Sequence, residues 1–264
     1  MKFLLPVVLA AVSALAIRPS QQTTTATTTD AAPVPAIHQL FAAGETLDYN
    51  LTWLRISGGA ARMTISEADD ATYRITSVAK SGAAVARLVK VRDEIETTVA
   101  RSTFTTLRFI KRHDEKGEKK EDITTVEDGV ATRRRKKVKS VRVPTPVYDP
   151  ISVIYYLRTL NLSPGATYEL ALVSDAKLYN VHVHVRRRER IQTPAGTFDT
   201  VMVEPSMESG GVNREERLFV WYTDDERRIP VRIRTEVKVG AITATLTGIT
   251  SGVDAVEPPA VRAQ

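Results

Sequence analysis

Two histidines stand two residues apart in LYNVHVHV, at His182 and His184. Residues i and i+2 of a strand share a face, so the pair is placed to ligate a single metal ion. A zinc site takes further ligands, and the sequence names none beside them. The pair is a weak metal candidate, with two solvent-facing histidines as the ordinary alternative. Asp93 is the second residue out of place. The phase of Val89, Val91 and Ile95 puts it on an apolar face, where an unpaired carboxylate is costly. An ion pair with Arg92 or a distant Arg, or a place at a bulge, is expected ahead of a catalytic role. Asp224-Asp225 before Arg227-Arg228 offers paired carboxylates, but adjacent strand residues point to opposite faces, and the stretch reads as a turn between strands. Nucleophilic chemistry has no signature: the chain has no Cys and no G-x-S-x-G elbow. No phosphate-cradling glycine loop is present, and no cofactor is implied.

The densest local feature is RRRKKVKSVR, residues 133–142, in which seven of ten residues are Arg or Lys. A strand basic on both faces cannot be buried, so this segment is an exposed edge or a loop. Arg133, Arg134, Arg135, Lys136 and Lys137, with the second cluster Arg186, Arg187, Arg188 and Arg190, could meet an anionic surface such as lipid headgroups. Protection of a sheet edge against aggregation is the competing and favoured explanation. Nucleic acid is disfavoured, because aromatic residues do not interleave with the charge.

The elements that must hold these groups are mostly strands. TLDYNLTW places Leu47, Tyr49, Leu51 and Trp53 on one face, and VRIRTEVKV alternates the same way. Ser57-Gly58-Gly59 reads as a turn, HDEKGEKK as a polar hairpin turn, and Glu127-Asp128-Gly129 as a tight one. SGAAVARLVKV, residues 81–91, is ambiguous between a short helix and a bend. RLFVWY is apolar on both faces, as in a central strand. A sheet with one apolar face needs a cover. YDPISVIYYLRTL supplies it: Asp149 suits an N-cap and Pro150 the first helical position, and Ile151, Ile154, Tyr155 and Arg158 follow at helical spacing. The expected fold is therefore mainly β, a single domain in which a curved antiparallel sheet, a half-barrel or open barrel, wraps one central helix near residues 150–159.

The ends of the chain read differently. Lys2, the apolar run Phe3–Val12 and Ala14-Leu15-Ala16 describe a signal peptide over residues 1–16. Residues 17–37, rich in Thr, Ala and Pro, read as a disordered linker. Residues 38–252 form the β-rich domain, and 253–264 a disordered tail. These features imply an exported, periplasmic or otherwise extracytoplasmic protein with no membrane span after signal cleavage. Nothing in the sequence speaks to its oligomeric state.

Five segments occur in order: GETLDYNLTWLRISGGAARM, LVKVRDEIET, YDPISVIYYLR, TPAGTFDTVMVEP and WYTDDERRIPVRI. Together they resemble a family of bacterial exported proteins, domain of unknown function 3108, over about residues 44–250. The resemblance implies a fold and an exported location but no catalytic residue. The curved sheet is also similar to the half-barrels of lipoprotein carriers. The function expected is binding of an apolar or amphipathic, lipid-like envelope molecule between sheet and helix, lined by Trp53, Ile151, Ile154, Tyr155 and Trp221. A scaffold of the cell envelope without a ligand is the alternative, and a hydrolase ranks third.

Overall fold

The computed structural model describes residues 41, 44–54, 56–82, 91–115, 117–207, 217–237 and 239–251. The leader, the linker, residues 83–90 of the ambiguous segment and the tail lie outside the described residues.

Among the described residues, fourteen strands and the short helix that precedes the ninth follow in chain order. They are β1 (Glu45–Trp53), β2 (Ile56–Glu67), β3 (Thr72–Ser81), β4 (Val91–Ala100), β5 (Thr106–Glu115), β6 (Glu118–Glu127), β7 (Val130–Arg134) and β8 (Val138–Arg142). Then come α1 (Ser152–Leu157), β9 (Thr167–Ser174), β10 (Lys177–Thr193), β11 (Gly196–Met207), β12 (Arg217–Thr223), β13 (Pro230–Glu236) and β14 (Ala241–Ser251). All strands belong to one antiparallel sheet, ordered β8 to β1, then β14 to β9. Two meanders thus lie side by side, joined where β1 pairs with β14. Hairpins bring chain neighbours together directly, which is why only this one pairing spans the sequence.

β8 and β9 are the two edges and are not paired with each other. The sheet nevertheless curls until its arms meet. The Thr106 N–H donates to the Val147 carbonyl at 2.9 Å, the Tyr148 N–H to Ala171 at 2.9 Å, and the Val173 N–H to Tyr148 at 2.7 Å. The chain leading into α1 therefore ties the β5 arm to the β9 arm, and a small apolar cluster of Ala131, Val143, Val147 and Val173 fills that seam.

Alternation decides which side faces inward. On β3, Tyr73, Ile75, Ser77 and Ala79 are buried, while Arg74 and Lys80 are exposed. The inward residues and α1 form one core that contains Leu47, Ile65, Ile95, Ile151, Tyr155, Leu157, Val181 and Ile233. Each large apolar side chain so buried contributes about 1.5–3 kcal/mol.

α1 is shorter than its sequence pattern, and Asp149 explains why so short a helix stays in place. One carboxylate oxygen, Oδ1, accepts the Ile151 and Ser152 N–H groups at 2.8 and 3.0 Å. The other, Oδ2, accepts the Thr97 and Thr106 hydroxyls at 2.6 and 2.7 Å. A single buried side chain thus caps the helix and moors it to β4 and β5.

Several boundaries differ from the sequence reading. Ser57-Gly58-Gly59 is not a turn but the start of β2; the chain reverses just before it, near Leu54, which has a φ of 50°. The glycines serve instead where β2 and β3 approach closely, with the Gly82 N–H bonded to the Gly58 carbonyl at 3.0 Å. HDEKGEKK is largely strand, because β5 runs to Glu115 and β6 starts at Glu118 around a tight turn at Gly117. β13 stops at Glu236, short of the alternation that continues in sequence. Asp128 and Gly129 do form the expected turn, both at positive φ. β12 is interior, between β11 and β13.

Candidate functional site

Strand directions give the curled sheet two unlike ends. β1 starts at the end that holds α1 and finishes at the far end, together with the turns following β5, β7, β9 and β13.

At the helix end, Arg158 is wholly buried. Its Nη1 and Nη2 meet Glu45 Oε1 and Oε2 at 2.6 and 3.0 Å. Nε and Nη2 donate to the Arg227 carbonyl at 3.1 and 2.9 Å. The guanidinium lies over the rings of Phe41, at 4.8 Å, and Tyr155, at 5.5 Å. Burial by itself would lower the Arg158 pKa, but the Glu45 carboxylate outweighs it, so the group is held charged. Around the pair, burial pushes the phenols of Tyr49, Tyr155 and Tyr222 up. The Tyr49 hydroxyl donates to the Pro230 carbonyl at 2.8 Å and that of Tyr222 to the Ile154 carbonyl at 3.0 Å. Tyr155 Oη has no partner among the described residues. The Arg158–Glu45 pair and the buried phenols around it suit a structural centre.

The far end carries a different inner face. Asp93, Ile95 and Thr97 of β4 face inward, opposite His113, Lys111 and Phe109 of β5. Asp93 is bonded to His113 Nδ1, the residue directly across the ladder, while Arg92 points outward to Glu94, at 3.5 Å. Lys111 Nζ meets Asp175 Oδ1 at 2.8 Å, and Arg133 lies between Asp122, at 2.5 Å, and Asp175, at 3.7 Å. Asp175 sits in the β9–β10 turn, so these contacts join the two arms of the sheet by side chains where no backbone ladder does. The His113 and Lys111 side chains remain 29% and 24% exposed, whereas Thr97 and Val99, nearer the helix on β4, are sealed. Solvent therefore reaches the inner face at this end.

The five residues expected to line one hollow do not converge. Ile151 and Tyr155 are buried in the core, and Ile154 is half-buried against it. Trp53 lies eight residues beyond Glu45 on β1, about 26 Å away at strand rise, at the far end. Trp221 is on the outer face. Its neighbours Val220 and Tyr222 face inward, and its Nε1 donates to Glu189 at 2.7 Å. A bulge in β10 between Val185 and Arg188 redirects the β10–β11 hairpin, whose outer segment reaches β13 and β14 through Arg232 to Gln192, at 3.2 Å, and Ala195 to Leu246, at 3.4 Å. That overlay buries Trp221 and explains why β12 is apolar on both faces.

The basic residues separate in the same way. Arg186 pairs with Glu204, Arg187 with Glu189, Arg188 with Asp224 and Arg190 with Asp199. Of the first cluster, Arg133 points inward and Arg135 lies 3.7 Å from Asp122. Arg134, Lys136 and Lys137 are exposed at the β7–β8 turn on the edge of the sheet. His182 and His184 lie on the outer side of β10, with His182 Nδ1 3.5 Å from Glu169. Among the described residues no three His, Asp or Glu side chains are grouped to hold a metal ion. Asp224 and Asp225 are both engaged: Asp225 Oδ1 accepts the Arg227 and Arg228 N–H groups and so shapes the β12–β13 turn. Between that turn and Asn161–Ser163 lies a cleft of about 270 Å³ flanked by Arg188 and Glu226.

Glu45, Lys111 and Asp175 escape sequence reading. Each is an ordinary charged residue by position, and its importance comes from a partner 64 or 113 residues away. Only Arg158 gave a signal, a charge on the apolar side of the helix pattern.

The chain belongs to the family described as protein of unknown function DUF3108, whose model matches residues 47–247. No curated protein matches it. Among solved structures it is similar to a β-barrel-like protein of domain of unknown function DUF1849 from Brucella abortus. They share 12% identity and a TM-score of 0.58 over 79% of this chain and 98% of that one. That likeness supports the fold alone. A protein described as a lipoprotein, from Parabacteroides distasonis, gives 13% identity and a TM-score of 0.34, over 80% of this chain and 98% of that one. A protein described as exported, with a YmcC-like fold, from Bacteroides fragilis gives 12% and 0.30, over 79% and 96%. No described helix is long and apolar enough to cross a membrane.

Proposed function

We propose that the chain is an exported, non-catalytic domain that binds an amphipathic molecule of the cell envelope in the far half of its hollow. The observation that carries this reading is the change along the inner face. α1 and three buried tyrosines fill the helix end, whereas the far end presents solvent-reached Lys111 and His113 beside apolar Leu51, Ala79 and Ile95. An inner face with no task beyond stability has no need of ionisable groups there, since apolar residues of similar volume do as well or better. A hydrocarbon portion would lie against Leu51, Ala79 and Ile95, and a polar head would take hydrogen bonds from Lys111 and His113. The reading places the ligand at the end that solvent reaches, where Leu51, Ala79 and Ile95, buried in the free protein like Ile151 and Tyr155, would have to part to admit it.

Native mass spectrometry of the protein purified from its own envelope tests this. A lipid-sized adduct is expected, released on denaturation and weakened in Lys111→Met. Bare protein in repeated preparations would reject the reading and favour the scaffold.

A further inference from the structure

The large apolar side chains left in solvent are not scattered. Among the described residues they are Leu54, Ile56, Leu107, Val138, Leu178 and Val239. All but Leu107 stand at the far end: Leu54 after β1, Ile56 at the start of β2, Val138 at the start of β8, Leu178 at the start of β10 and Val239 after β13. Leu54, Ile56 and Val239 are 48%, 63% and 61% exposed. They belong to neighbouring turns: Trp53 Nε1 donates to the Val239 carbonyl at 3.1 Å, and Gly240 lies against Leu54. Val138, 66% exposed, projects from the β7–β8 hairpin beside Lys136 and Lys137.

Isolated surface leucines need no explanation, but apolar tips confined to one rim do. Charge selects what covers them. The outer-face arginines 186–190 are matched by acids, whereas Arg134, Lys136 and Lys137 carry no ion pair among the described residues. Protruding apolar tips that share one rim with uncompensated cations match a leaflet whose surface is anionic and whose interior is hydrocarbon. Trp53, with its ring at the rim and its N–H satisfied by backbone, is the residue type that suits such a boundary.

We infer that the far rim docks on an anionic phospholipid surface, with Leu54, Ile56 and Val239 entering the headgroup boundary and Lys136 and Lys137 set against phosphates. The sheet then stands on the leaflet with α1 away from it and the far half of the hollow turned toward lipid. This goes beyond the ligand reading and does not require it, since a domain with an empty hollow would dock equally well.

The test is co-sedimentation of the full chain with phosphatidylcholine vesicles, with or without phosphatidylglycerol. Pelleting is expected with the anionic vesicles and should fall as salt rises. K136Q with K137Q should lower the partition coefficient about thirtyfold, at roughly fivefold for each Lys near the surface. L54D with I56D should abolish pelleting while the thermal melt is unchanged, and R187Q with R190Q should pellet as the parent does. Equal pelleting with neutral vesicles, or undiminished pelleting of both rim variants, overturns the inference. So does capture by an acidic protein surface with no vesicle binding. Lipid mass retained by a rim variant that no longer pellets separates docking from occupancy of the hollow: the rim is then essential for one and idle in the other.

Discussion

The helix end and the far end use the same chemical parts to different effect. Both join distant strands by an arginine or lysine and a carboxylate. At the helix end the pair is Arg158 and Glu45, with side chains 1% and 5% exposed; at the far end Lys111 and Asp175 are 24% and 26% exposed. Water decides the consequence. A buried pair is costly to desolvate and ruinous to break, because the survivor is left charged without solvent. A half-wet pair contributes little and can exchange partners, since water takes over when one leaves. One end is therefore built to stay shut, and the other is held by pairs that water can weaken.

The contrast is broken most directly at Arg158. Arg158→Met should cost about 3–5 kcal/mol in chemical denaturation, the range for orphaning a buried partner. Adding Glu45→Leu should recover most of that loss, because no stranded charge remains; a double variant as unstable as the single one would mean that packing against Phe41 and Tyr155 dominates. Asp149→Ala comes next. It removes the cap and the Asp149 acceptor of the Thr97 and Thr106 hydroxyls, which keep the Arg108 carbonyl and Ser152 Oγ as partners, for about 1–2 kcal/mol by equilibrium unfolding. At the far end Asp175→Asn should cost about 1 kcal/mol or less, but it should speed amide hydrogen exchange in β9 and the start of β10, the arm it ties down. Slower exchange there, or a loss like that at Arg158, would erase the distinction between the ends.

Two smaller effects sharpen it. Glu204 binds Arg186 and Arg217, each at 2.7 Å. Burial alone would raise its pKa, but the two guanidinium hydrogen bonds prevail and hold it below the usual carboxylate value. Its folded pKa is therefore lower than its unfolded one. The stability it adds is present above the unfolded value, near pH 4.3, and is lost as pH falls through the folded value. Glu204→Gln should lower stability by about 1 kcal/mol or less from pH 6 to 8, with the gap closing below about pH 4 in acid titration of the unfolding free energy. Smallest of all is Tyr155→Phe. The hydroxyl has no partner among the described residues, so its loss should be neutral or slightly stabilising, whereas Tyr222→Phe, which forfeits a bond to Ile154, should cost about 0.5–1.5 kcal/mol.

Alternation and capping are local, and they were legible. The period-2 patterns of TLDYNLTW and of VRIRTE at the start of VRIRTEVKV, the Asp-Gly turn at 128–129 and the Asp-Pro start of the helix each depend on residues within a few positions, and each has its place in the fold. β9 and β11 were not picked out. TYELALVS is an edge whose outer half is only partly buried, and GTFDTVMVEPSM is interrupted by the register change at the bulge opposite it. RLFVWY betrayed two covered faces but not which tryptophan neighbour faced which layer.

What the chain determined by itself is a one-sided apolar sheet, a single helix to cover it and a surplus of cations near one hairpin, because side-chain period and charge are written residue by residue. The partners of Arg158, Asp93 and Lys111 were settled only in three dimensions. So were the outer burial of Trp221 and the gathering of exposed apolar tips on one rim. The physical reason is that these depend on how far the sheet curls and on which strand ends meet, and curl is a sum over every pairing in the sheet, not a property of any one stretch.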